Sequence, residues 1–88
     1  MPIAYTVANN GEIEAHTVPR DFDFDEEHTI QCMGKLAALT AARANARHAS
    51  ENARNKGLHD DSCKILTYLH RLETDPDSVI KEANDKLL

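Results

Sequence analysis

The feature that most restricts how this chain can fold is a proline-free run from Glu26 to Lys56, in which eight alanines fall between Ala37 and Ala53. Alanine is the best helix former, because ordering it costs no side-chain entropy. Gly57 followed by Leu58 then reads as a C-terminal glycine cap with its hydrophobic contact. The run predicts a helix over residues 26–56, about 46 Å long at a rise of about 1.5 Å per residue. Gly34 is its one weak point. Asp23 or Asp25 would cap the N-terminus, where Glu26 and Glu27 suit the positive end of the helix dipole.

Before this run, residues 3–7 and 12–18 alternate apolar and polar side chains around Asn9-Asn10-Gly11. A two-residue loop would set Tyr5 opposite His16 and mix the faces. A three-residue loop pairs Val7 with Ile13, Tyr5 with Ala15 and Ile3 with Thr17, and it needs a left-handed residue, which Gly11 supplies. After the run, Asp60 or Asp61 can cap a helix to about Glu73, with Leu58, Ile65, Leu69 and Leu72 as its apolar stripe and Leu66 at its flank. Asp75-Pro76 ends that helix and starts another, on which Val79, Ile80, Ala83 and Leu87 share a face. The expected architecture is α+β, mainly α, in one small domain over residues 1–88. It comprises a β-hairpin (1–18), an acidic linker (19–25), the long helix (26–56) and two shorter helices (60–73 and 76–88). The two short helices pack in series, antiparallel to the long one.

Eighty-eight residues can bury only about two-thirds of their unfolded surface, and much of the apolar content is alanine. Association would stabilise such a chain, so a homodimer is expected. Fifteen acidic and ten basic residues give a net charge of −5, which disfavours bulk attraction to nucleic acid or an anionic membrane. No apolar stretch approaches the roughly 20 residues of a membrane span. The start, Met1 to Tyr5, lacks the basic and apolar regions of a signal peptide, and two cysteines make no disulfide framework. The expectation is a cytoplasmic protein with reduced thiols.

Four constellations carry the functional reading. Gly34, Ala38, Ala42 and Ala46 form a small-residue ridge in i, i+4 order, suited to close helix packing within the chain or to self-association. Arg43, Arg47 and Arg54 share one helix face, suited to local pairs such as Arg47 with Glu51, or to a phosphate-bearing ligand or nucleic acid. No aromatic residue interleaves them, so a stacking platform for single strands is absent. Asp21, Phe22, Asp23, Phe24 and Asp25 make an acidic, aromatic segment suited to docking on a basic partner, with both phenylalanines also suited to fold back into the core. A calcium loop would need Gly at position 26 and Glu at position 32, where this chain has Glu26 and Cys32. The pairs His28/Cys32 and His59/Cys63 each offer two zinc ligands, but they stand at opposite ends of the long helix and could meet only in an antiparallel dimer. No metal and no cofactor are expected.

There is no glycine-rich phosphate loop, serine elbow or zinc-protease helix. The expected function is therefore non-catalytic: a protein that binds another protein and regulates or inhibits it. Small acidic domains without catalytic motifs recur among phage and mobile-element products, including inhibitors of host defence complexes. The alternative is a binding module for a phosphate-bearing ligand or nucleic acid on the arginine face.

Overall fold

A computed structural model describes residues 2–22 and 32–87. The elements are β1 (Ile3–Val7), β2 (Ile13–Thr17), α1 (Lys35–Asn55), α2 (His59–Thr74) and α3 (Pro76–Asp85). This is the expected α+β order, a hairpin followed by helices.

The hairpin takes the register set by its apolar face: Ile3 opposite Thr17, Tyr5 opposite Ala15, Val7 opposite Ile13. Gly11 closes the turn at φ 95°, with its N–H donating to the Ala8 carbonyl at 2.9 Å. A second constraint also demands glycine there. A Cβ at position 11 would lie 2.7 Å from the Ala42 carbonyl oxygen and 2.8 Å from the Ala46 Cβ, so the turn rests directly on α1.

The long helix is shorter than the 26–56 expectation. Residues 26–31 lie outside the described residues, as do Asp23 and Asp25, and residues 32–34 are not helical. Met33 forms an antiparallel bridge to Tyr5: each N–H donates to the other's carbonyl at 2.8 Å. A backbone engaged by a strand edge cannot also enter a helix, so α1 starts after Gly34, its N-cap, with no side-chain cap. Its 21 residues span about 31 Å. The C-terminus behaves as the sequence predicts. The Leu58 N–H donates to the Ala53 carbonyl at 2.8 Å and the Gly57 N–H to Arg54 at 3.0 Å, with Gly57 at φ 78°.

That tight exit turns the chain back, and α2 runs antiparallel to α1. Two buried serines mark the crossing: Ser62 Oγ donates to the Ser50 carbonyl at 3.1 Å. Further along, Arg43 donates to the Leu72 carbonyl at 3.2 Å. The N-cap of α2 is Leu58 rather than Asp60 or Asp61, which occupy its first turn and complement the dipole from there.

The short helices are not both aligned along α1. Because α1 is only 21 residues long, α2 alone covers it, and α3 packs on β2 and α2 instead. Asp75 precedes Pro76 as expected but makes no side-chain cap bond, and α3 ends at Asp85 rather than running to residue 88. Tyr5 Oη donates to Asn84 Oδ1 at 3.0 Å, and Lys35–Asp77 (3.1 Å) and Arg71–Glu82 (2.8 Å) tie the helices at the surface. The core joins Tyr5, Ile13 and Ala15 of the hairpin to Ala38, Leu39 and Ala42 of α1, Leu72 of α2, and Val79, Ile80 and Ala83 of α3. Leu72 is its one fully enclosed large side chain among the described residues.

Candidate functional site

Where α1 and α2 approach their connecting turn, the apolar stripe of α2 is no longer covered. Leu69 and Leu72 are buried, Ile65 is half-buried, and Leu58 is 49% exposed. The opposing residues on α1 are the half-buried Ala49 and the buried Ala53, neither long enough to reach across to Leu58. The hairpin turn overhangs one side with Asn9, Asn10 and Glu12. The result is a groove of about 790 Å³. Ligand-sized clefts span about 300–1,000 Å³.

The groove has an apolar floor (Ala49, Ala53, Leu58, Ile65) and a polar rim of both signs. His48, Asn52 and Lys56 come from α1, Asp61 and Lys64 from α2, and Glu12 from the hairpin. Tyr68 forms one wall, and its hydroxyl oxygen accepts a hydrogen bond from the Ile13 N–H at 3.0 Å. That bond ties α2 to the end of β2 and leaves the hydroxyl proton able to donate. Burial pushes the Tyr68 phenol above its ordinary value, opposed by the Ile13 bond, which favours the phenolate.

The residues singled out from the sequence meet different fates. Ala38, Ala42 and Ala46 are each 0% exposed, covered by the rest of the same chain, and Gly34 is the half-buried N-cap of α1. Of the two readings of the ridge, close packing within the chain accounts for this burial: the hairpin turn and α2 lie over it.

The arginine face is partly engaged. Arg43 is half-buried on the Leu72 carbonyl. Arg47 lies 3.8 Å from Glu73 of α2, and no ion pair joins it to Glu51 one turn along α1. Arg54 is exposed at the end of α1, and no ion pair joins it to the described residues.

Of the acidic segment, Asp21 is exposed and Phe22 half-buried, its N–H donating to the Pro19 carbonyl at 3.1 Å. Asp23, Phe24 and Asp25 lie outside the described residues, as does His28; Cys32 is half-buried. His59 and Cys63 are both exposed on α2.

Sequence reasoning did not find the groove, because its three walls are far apart in the chain. The available signal was local: Ala49 and Ala53 at i, i+4 opposite a leucine and an isoleucine with no large partner. Compared with protein-family models, curated proteins and solved structures, the chain matches none of them.

Proposed function

We infer that this is a non-catalytic interaction protein, which binds another protein through the groove between the hairpin turn, α1 and α2 and thereby regulates or blocks it. The observation that carries this reading is the half-exposed Leu58 beside Ile65 on the floor of a groove about 790 Å³ in volume. Covering such apolar surface contributes about 25 cal/mol per Å², and a polar rim of mixed charge sets register more than affinity. An amphipathic segment of a partner protein meets both demands. The acidic stretch from Asp21 to Asp25 adds an electrostatic contact to a basic patch on that partner.

The arginine-face alternative loses support, since Arg43 is held on the Leu72 carbonyl and Arg47 faces the Glu73 carboxylate of α2.

The test begins with capture of the partner from the native host and titration of the two purified proteins. Ala49→Arg combined with Lys64→Glu fills the groove and reverses its rim. It is expected to weaken binding at least tenfold, with unchanged helical circular dichroism. Lys81→Glu, on the exposed side of α3, serves as the control. Reversing Asp21, Asp23 and Asp25 to lysine should weaken binding less. A partner that binds the groove variant as tightly as the wild type removes the reading.

A further inference from the structure

The outer face of α2 carries chemistry that the groove does not use. His59, Cys63, Leu66 and His70 follow one another at spacings of four, three and four, which sets them along one stripe of the helix. All four are exposed, Cys63 as a free thiol and Leu66 at 48%. The groove uses other positions on α2, with Asp61, Lys64 and Tyr68 among them. The helix is intact beneath the stripe: the Thr67 and Thr74 hydroxyls donate to the Cys63 and His70 carbonyls at 2.9 and 2.8 Å.

An imidazole and a thiol one turn apart on a helix have Cβ atoms about 5–6 Å apart. That separation suits two corners of a tetrahedral Zn²⁺ site, with Zn–N of about 2.0–2.1 Å and Zn–S of about 2.3 Å. A single chain stops there. Among the described residues, no group of three or more His, Cys, Asp or Glu side chains could hold a metal ion.

Symmetry supplies the missing ligand. His59 with His70, and Cys63 with Leu66, share one midpoint, between Lys64 and Ile65. That coincidence is what a two-fold axis through the midpoint requires. Two α2 helices laid antiparallel about it place His70 of a second copy beside His59, and Leu66 of the second copy against Cys63. Two identical sites result.

We propose that His59 and Cys63 of one copy and His70 of a second copy bind Zn²⁺, and that the metal assembles the protein into an antiparallel dimer through α2. Leu66 is the one large apolar residue on the stripe, too little surface to hold two chains without the metal. Three protein ligands leave the fourth position to water. The dimer leaves the groove open, so assembly and partner binding are separate events on opposite sides of α2.

The experiment uses the full chain, reduced, freed of metal by chelation, and titrated with Zn²⁺ and with Co²⁺ as a visible substitute. Expected results are one metal per chain, a sulfur-to-cobalt charge-transfer band, and a doubling of mass by light scattering. His70→Ala should abolish the doubling and weaken zinc binding at least tenfold, with unchanged helical circular dichroism. Cys63→Ser should remove both the band and the doubling. Cys32→Ser should leave both intact. The proposal is overturned by a monomer at saturating Zn²⁺, by doubling that survives Cys63→Ser or His70→Ala, or by doubling that Cys32→Ser removes.

Discussion

The two ends of α1 present the same residue type to opposite effect. Toward the hairpin, Ala38, Ala42 and Ala46 are wholly buried, because the hairpin, with the Gly11 backbone resting on Ala42 and Ala46, and α2 come close enough to cover them. Toward the α1–α2 turn, Ala49 is only half-buried and lines an open groove, with the buried Ala53 at the bottom of it. Small residues permit close approach but do not cause it. Where a second backbone arrives they make a tight interior, and where none arrives they leave space.

The closed end should therefore be intolerant of change and the open end forgiving. Leu72→Ala has the largest expected effect: a cavity at the centre of the closed end, costing about 2–5 kcal/mol by denaturant titration. A loss below about 1 kcal/mol would show that the closed end collapses freely and the contrast is false.

Gly11→Ala comes next. Positive φ strains the new residue, and its Cβ meets backbone that cannot yield cheaply, so a loss of about 2–4 kcal/mol is expected. Gly57 shares the positive φ, but nothing lies within 4 Å of its Cβ position, so Gly57→Ala should cost only about 1 kcal/mol. The difference between the two glycine variants measures how closely the hairpin turn rests on α1.

Tyr68→Phe tests the boundary between the regions, and should cost about 1–2 kcal/mol by leaving the Ile13 N–H unpaired. It should also alter the response to alkali. The Tyr68 phenol is raised above its ordinary 10.0 in the folded protein. The native state therefore holds that proton more tightly than the unfolded chain does. This contribution to stability is complete below about pH 10 and is lost as pH rises through the raised value. The Phe variant should lose less stability than the wild type across that window, measured by urea titration at pH 9 and 11.

The smallest effect has the opposite sign. Gly34 caps α1 without a side-chain bond, at φ −71° and with open space around it. Gly34→Ser should stabilise the protein by about 0.3 kcal/mol through a hydroxyl cap, read as a small rise in Tm.

Much of the fold is legible in the chain because its signals are local. The hairpin register follows from the alternation of Ile3, Tyr5 and Val7 against Ile13 and Ala15, together with a glycine able to reach positive φ. The end of α1 follows from Gly57-Leu58, and the start of α3 from Asp75-Pro76. The start of α1 was misread, since nothing between Glu26 and Gly34 shows that the Tyr5 backbone would claim Met33. The arginine face was misread for the same reason: Glu51 is the near neighbour in sequence, while Glu73 and the Leu72 carbonyl are the partners across α2.

The amino-acid order alone determined where helix, strand and turn can exist, because backbone preference, capping and face periodicity act over a few residues. It also determined that α1 would carry a small-residue ridge. Only the tertiary structure decided that the ridge is covered from within the chain, that α3 leaves α1 for β2, and that Leu58 and Ile65 stay beside open space. Those outcomes rest on which distant backbones arrive at the same place, and contacts between residues 11 and 42, or 13 and 68, leave no trace in local composition.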